Sequence, residues 1–180
     1  YARTHNAKAL PHSITHLQLV NPKEFPRFKE LGVIASMQLL WAGKDSDGAT
    51  TTLLEGKVAP SLLQHLYPAG DLYRHHALIA GASDWPVSSP NPLLAIYTAV
   101  TRTAESGVLP PDSEKISRAA MLQAYTINAA KVIGREREIG SVSVGKSADL
   151  VLFDRNLEKV SIEELRDANV LWTMFEGRQV

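Results

Sequence analysis

Cysteine is absent from this 180-residue chain, which excludes disulfide bonds, thiolate zinc sites and cysteine nucleophiles. An excess of either charge is also missing, because 19 basic and 19 acidic residues balance, and we therefore expect no nucleic-acid partner. No apolar run in the sequence approaches the roughly 18 residues of a membrane span, so we expect no membrane partner. A hydrophobic content of 44% indicates an ordinary globular protein with a sizeable core.

The first residue is Tyr1 rather than methionine, which predicts that the chain is a piece of a longer protein. A targeting signal would then lie outside these residues, so the sequence leaves the compartment open. We expect a cytoplasmic protein, although a chain without cysteine suits the periplasm equally well.

The first part of the chain has the pattern of a strand, a helix and a second strand. Residues 13–20 alternate apolar and polar side chains, which predicts a strand. The predicted helix begins at Asn21, a good capping residue, and ends at Gly32. A second apolar run over 33–38 predicts the next strand. Two strands joined through a helix indicate a parallel sheet.

The middle of the chain alternates loops with further elements of both kinds. Its predicted elements are a polar, mobile loop within 44–52, a short helix over 60–66, a strand over 77–80, and helices over 91–107, 113–125 and 128–133. An irregular stretch as long as 39–70 is often functional in a compact domain, for example as a cover over an active site.

The last third of the chain is rich in β-forming residues and follows a separate plan. We predict a short β-like run over 139–146, strands over 148–154 and 170–175, a capping box that begins a helix at 161, and a tight turn at 176–177.

One carboxylate follows the predicted strand over 77–80 in the run Gly-Ala-Ser-Asp-Trp-Pro at 81–86. A rigid strand that delivers a lone Asp84 into a turn of small residues is where barrel enzymes place a metal ligand or a general base. The alternative is that Asp84 only caps the turn that follows. The run by itself favours neither interpretation.

Several motifs, in this order, resemble the metal-dependent amidohydrolase superfamily. The run Gly-Ser-Val-Ser-Val-Gly-Lys-Ser-Ala-Asp-Leu-Val at 140–151 resembles its carboxyl-terminal signature, and 124–130 resembles the helix before it. Residues 81–87 resemble the eighth barrel strand of the branch called amidohydrolase family 3, or YtcJ-like, which includes AepA-like exoenzyme regulators. Ile-Thr-His at 14–16 resembles the sixth strand of that branch, and 32–38 its seventh.

This resemblance implies an α/β fold: the carboxyl-terminal part of a (β/α)₈ barrel over residues 1–135 and part of a small β-sandwich over 136–180. A complete barrel needs about 250 residues. The superfamily's His-x-His on strand one, its lysine or carboxylate on strand four and its histidine on strand five would all precede Tyr1. The branch usually has glutamate where this chain has Thr15, which leaves the local substrate contacts open.

The resemblance also implies a chemistry. His16 would be a metal ligand, and Asp84 would bind the same metal and take a proton from the attacking water. Zn²⁺ is the expected metal, because it is well suited to imidazole and carboxylate ligands and activates water. The implied function is hydrolysis of non-peptide C–N bonds, such as amides or cyclic amides, in a small-molecule substrate. The alternative is a regulatory protein or inactive fragment that keeps the fold without the chemistry.

We expect the chain to form homo-oligomers through uncovered strand edges.

Other polar and aromatic residues are weaker candidates for the active site. Gln38 could face the pocket or serve the structure. Trp41 and Trp85 could line the pocket or simply pack. The remaining side chains are expected at the surface, in a turn or in support of the site; they are His5, His12, His65, His75, His76 and Asp149.

Overall fold

The computed structural model describes residues 11–44, 54 and 56–180. The strands of this part are β1 (Ser13–Thr15), β2 (Ile34–Met37), β3 (Leu78–Gly81), β4 (Thr103–Ala104), β5 (Gly107–Val108), β6 (Leu150–Phe153), β7 (Val170–Phe175) and β8 (Arg178–Gln179). The α-helices are α1 (Phe25–Leu31), α2 (Pro60–Leu63), α3 (Ala69–Arg74), α4 (Pro92–Thr101), α5 (Arg118–Ala124), α6 (Ile127–Val132) and α7 (Ile162–Arg166). Short 3₁₀ helices span Pro22–Glu24, Leu39–Ala42 and Asp112–Glu114.

A three-stranded parallel sheet, in the order β1-β2-β3, is the framework of the first half. The central strand β2 is almost wholly apolar, as expected for a parallel strand covered on both faces, and Ala35 and Met37 are fully buried. The strand-helix-strand prediction for the first part of the chain is confirmed. β1 is nevertheless shorter than the predicted strand over 13–20, because His16 and Leu17 both have positive φ and leave the extended conformation.

The connection between β1 and β2 follows from its capping residues. Asn21 accepts a hydrogen bond from the backbone of Lys23 and so begins the 3₁₀ helix that leads into α1. Gly32 ends α1 in the left-handed conformation, with φ of 67°. Phe25 and Phe28 lie on the buried face of α1 and pack into the main core.

Two predicted helices of the middle segment are wrong in their extent. The helix predicted over 91–107 ends at Thr101, because Arg102 turns into the left-handed conformation and the hairpin of β4 and β5 follows. The helix predicted over 113–125 is two elements, since the chain extends again until Ser117 caps α5. The helix predicted over 60–66 is limited to Pro60–Leu63, and the loop predicted within 44–52 lies, apart from Lys44, outside the described residues.

The last third forms a separate antiparallel sheet, in the order β6-β7-β8. The predicted capping box is confirmed, because the side chain of Ser161 and that of Glu164 bond each other's backbone N–H groups. The β-like run predicted over 139–146 is wrong: this segment contains no strand, and Lys146 donates to the carbonyl oxygens of Glu136 and Ile139. The loop is folded back on itself by these bonds.

The two halves share one hydrophobic core. Leu165 of α7 is fully buried in the same cluster as Met37 of β2 and Ile96 of α4. Arg118 at the start of α5 donates to the carbonyl oxygens of Leu157 and Val160, which joins α5 to the segment before α7. Among the described helices, none has the length and apolar character needed to cross a membrane.

Candidate active site

His16 and Asp84 both follow strands of the parallel sheet. His16 comes directly after β1, and Asp84 comes three residues after the end of β3. Because β1, β2 and β3 are parallel, the carboxyl ends of all three strands lie at one edge of the sheet. The two residues therefore follow the same edge, with β2 between them, and a strand spacing of about 4.8 Å separates the β1 and β3 backbones by roughly 10 Å.

The backbone of His16 is held in an uncommon conformation. Its φ is 69°, in the left-handed region, and that of Leu17 is 54°. The His16 N–H donates to the carbonyl oxygen of Ser36 and to the side-chain oxygen of Gln38, both at 3.1 Å. These bonds tie the residue after β1 to the end of β2.

The imidazole of His16 is packed but not saturated with hydrogen bonds. It stacks on the Trp41 ring, with centroids 5.5 Å apart and planes inclined by 10°. Its Nδ1 atom is buried and finds no hydrogen-bond partner among the described residues. Buried polar atoms are almost always paired, so an imidazole nitrogen at the sheet edge that is unpaired among the described residues fits a ligand from outside this part of the chain.

Asp84 lies in a turn whose hydrogen bonds do not involve its carboxylate. The carbonyl oxygen of Asp84 accepts from the Val87 N–H at 2.8 Å, the Ser83 hydroxyl accepts from the Trp85 N–H, and the Ser88 hydroxyl donates to the Ser83 carbonyl. The exposed Asp84 side chain bonds none of the described residues, and the residue has φ of 57°. A carboxylate that is not needed for the turn is available for binding or proton transfer.

The end of β3 is fixed by α6 and the residue that follows α5. Tyr125 donates its hydroxyl to the Ala82 carbonyl at 3.3 Å, and Asn128 donates its amide to the Ile79 carbonyl at 2.9 Å. A Cβ on Gly81 would lie 2.5 Å from the Tyr125 ring, so any larger residue there would force the ring or the strand to shift. Burial raises the pKa of the Tyr125 phenol, which therefore stays a neutral donor. These contacts fix the position of the backbone segment that leads to Asp84.

Gln38 has a structural contact at the site, which the sequence left undecided. The residue is 3% exposed, and its amide nitrogen donates to the Thr15 hydroxyl at 3.1 Å. Thr15 thus supports the amide that contacts the His16 backbone.

The other candidates lie away from this edge or at the surface. Trp85 is 68% exposed and does not line a closed pocket. Asp149 accepts from the Glu176 N–H and the Ser147 hydroxyl, which confirms its predicted turn contact. The surface histidines are, as expected, exposed; they are His12, His65, His75 and His76. His5 lies outside the described residues.

No cluster of three or more His, Asp or Glu side chains suited to a metal ion occurs in residues 11–44, 54 and 56–180. The described part of the chain therefore offers at most two ligands at the sheet edge, His16 and Asp84. A catalytic zinc site uses three protein ligands and a water molecule.

Comparison with known proteins places these features in a family. The model of the amidohydrolase family matches residues 1–180. Protein LONG AFTER FAR-RED 3 of Arabidopsis thaliana is 33% identical over 174 residues, which cover 93% of this chain and 28% of that protein. N-substituted formamide deformylase of Arthrobacter pascens is 35% identical over 113 residues, covering 62% of this chain and 21% of the enzyme. The chain thus spans less than a third of either relative.

Solved structures show the same fold. A metal-dependent hydrolase from Pyrococcus horikoshii matches 85% of this chain and 30% of its own, with a TM-score of 0.71 and 24% identity. An adenosine deaminase from Xanthomonas campestris with bound zinc matches 99% of this chain and 39% of its own, with a TM-score of 0.67 and 22% identity.

Proposed function

This chain belongs to the amidohydrolase family, and from that membership we propose that it is the carboxyl-terminal part of a metal-dependent hydrolase of non-peptide C–N bonds. One observation supports the proposal most: the buried imidazole nitrogen Nδ1 of His16 and the carboxylate of Asp84, both unpaired among the described residues, follow the same edge of a parallel sheet. In α/β barrels, active sites lie at the carboxyl ends of the strands.

The residues present fit a divalent metal, with zinc as our first choice. An imidazole nitrogen and a carboxylate oxygen are ligands that Zn²⁺ prefers. When bound, such an ion lowers the pKa of a water molecule to about 7 and polarises the scissile carbonyl. The further ligands would come from sequence beyond the two residues at this edge, as the relatives' much greater length suggests.

The two side chains have different parts in the proposed reaction. His16 would help to hold the ion through its imidazole. The Asp84 carboxylate would help to hold the ion as well, and it would accept the proton of the attacking water and return it to the leaving nitrogen. A substrate amide or cyclic amide is consistent with the formamide deformylase and with imidazolonepropionase of Treponema denticola, which is 30% identical over 151 residues.

We interpret the two parts of the fold in terms of the same family. We propose that residues 1–135 are the last strands and helices of a (β/α)₈ barrel and that 136–180 are part of a β-sandwich beside it. The parallel order β1-β2-β3 and the separate antiparallel sheet β6-β7-β8 support this division.

The test uses the full-length protein, meaning these 180 residues together with all sequence that accompanies them in the cell. His16→Ala should lower the zinc content measured by plasma mass spectrometry. Asp84→Asn should lower kcat on N-formyl, N-acyl or cyclic amide substrates by at least about 100-fold, the size of a lost general base. His12→Ala, which changes an exposed histidine just before β1, is the matched control.

Two results would contradict the proposal. One is a zinc content that His16→Ala leaves equal to that of His12→Ala. The other is full activity of Asp84→Asn. A full-length protein that binds no metal and hydrolyses no amide would instead favour the alternative, a regulatory protein that retains the fold. The observation behind that alternative is that the described residues contain no group of three or more side chains suited to a metal ion.

A further inference from the structure

Two consecutive residues with positive φ follow β1, and neither is glycine. Histidine is among the side chains that occur in the left-handed region with some frequency, whereas leucine is rare there. Such conformations persist only where neighbouring structure holds them, and they are concentrated at functional sites. The turn at His16 and Leu17 therefore requires an identifiable restraint.

The side chain of Gln38 is such a restraint. A backbone N–H can only donate, so the amide oxygen of Gln38 faces the His16 N–H, at 3.1 Å. The amide nitrogen then faces the Thr15 hydroxyl, also at 3.1 Å. One buried amide thus spans the last residue of β1 and the first residue of the turn, and it fixes both relative to β2.

The backbone of Gln38 acts on the same histidine from another direction. Its carbonyl oxygen accepts from the Trp41 N–H at 3.1 Å and begins the 3₁₀ helix Leu39–Ala42. That helical turn brings the Trp41 ring onto the His16 imidazole. Gln38 therefore restrains the backbone of His16 through its side chain, and it restrains the ring of His16 through its carbonyl oxygen and Trp41.

We infer that Gln38 is a positioning residue, which holds the His16 turn in its left-handed conformation so that the imidazole is presented to the metal. The inference rests on the proposed function for its metal-binding consequence. The restraint on the backbone stands on the hydrogen bonds alone.

The test compares three variants of the full-length protein. Gln38→Leu removes both side-chain hydrogen bonds. Gln38→Glu keeps an acceptor for the His16 N–H and allows the Thr15 hydroxyl to donate to the other carboxylate oxygen. Gln18→Leu is the matched control, because it removes a hydrogen bond from another partly buried glutamine nearby, to Tyr67, and leaves the His16 contacts intact.

The first measurement is hydrogen exchange at the His16 amide. Gln38→Leu should speed this exchange about five- to tenfold relative to Gln18→Leu, because one of two acceptors is lost, and Gln38→Glu should restore the slow rate. Equal rates in Gln38→Leu and Gln18→Leu would overturn the inference.

The second measurement is the affinity for Zn²⁺ alone, from competition with a chromophoric chelator. Loss of a group that orients a ligand typically weakens metal binding by about 10- to 100-fold, and we expect a loss near tenfold for Gln38→Leu with recovery in Gln38→Glu. Faster exchange with unchanged zinc affinity would overturn the positioning role. A wild-type protein without zinc affinity would refute the proposed function as well, and the exchange rates would distinguish that failure from loss of the restraint.

Discussion

Replacement of Arg102 should destabilise this protein more than any change at its surface. The Arg102 side chain is fully buried, and its guanidinium donates to the carbonyl oxygens of Leu66, Tyr67 and Leu109 at 2.7 to 3.1 Å. Burial lowers the pKa of the guanidinium to about 10, so it remains charged at neutral pH. One cation thus joins the hairpin of β4 and β5 to the segment before α3.

The cost of Arg102→Leu follows from these contacts. Three buried carbonyl oxygens lose a charged donor, and each unsatisfied group costs about 1–3 kcal/mol. Removal of a buried cation also relieves its own desolvation, which offsets part of this loss. We expect a net decrease of about 3–5 kcal/mol in the free energy of unfolding. Arg102→Lys should lose about half as much, because an ammonium group can still reach some of the oxygens.

Urea unfolding followed by circular dichroism would measure these differences. Arg137→Leu is the matched control, since Arg137 is exposed and its replacement should change stability by less than about 0.5 kcal/mol. A loss below about 1 kcal/mol for Arg102→Leu would refute the reasoning, because the carbonyl oxygens would then have other donors. The lysine variant keeps the test decisive if the leucine variant is too unstable to purify.

Three further outcomes are expected. Gly81→Ala should lower the free energy of unfolding by about 1–3 kcal/mol through overpacking, because its Cβ would lie 2.5 Å from the Tyr125 ring. In urea unfolding, the double variant with Tyr125→Leu should lose less stability than the sum of the losses of the two single variants. Additive losses would contradict this explanation. Hydrogen bonds from Arg155 and then Asn169 hold the pKa of Asp154 well below its ordinary value of 3.8, so its stabilising effect is present above pH 3.8 and is lost as the pH falls toward the folded-state pKa. The melting temperature of Asp154→Asn should therefore lie below that of wild type at pH 7 and approach it in strong acid, and an equal gap at pH 7 and pH 2 would argue against the assignment. The 180-residue chain by itself should associate at micromolar concentration through its uncovered strand edges, which sedimentation would detect; a clean monomer would show that the edges are already protected.

The elements that could be predicted from the sequence are those fixed by neighbouring residues. The capping Asn21, the terminating Gly32 and the capping box at Ser161 all act within a few positions, and each is present as predicted. The helix predicted over 91–107 was too long because its end is set from a distance. The partners of Arg102 include carbonyl oxygens 35 and 36 residues away, and a local pattern carries no sign of them.

The candidate site likewise has some features that could be predicted from the sequence and others that could not. His16 and Asp84 could be proposed because each has a recognisable residue type beside an apolar strand, and the parallel strand order brings them to one edge. The contact from Gln38 spans 22 residues, and the stacking of Trp41 depends on a helical turn that the sequence did not indicate. The sequence therefore left open the roles of Gln38 and Trp41, because these roles arise from tertiary contacts.

The left-handed backbone at both ends of this edge restricts which metal ligands the proposed site could acquire by mutation. Beyond glycine, asparagine, aspartate and histidine are the residues that best tolerate φ near +60°, and His16 and Asp84 both come from this small set. Exchanges such as His16→Asp or Asp84→His would therefore keep the chain path while they shifted the preference of the proposed site between imidazole-favoured and oxygen-favoured ions. A glutamate or cysteine at either position would carry a backbone penalty in addition to its new chemistry. In the proposed metal site, the preference for a metal would thus change most readily between nitrogen and oxygen donors, and the backbone itself would disfavour thiolate ligation.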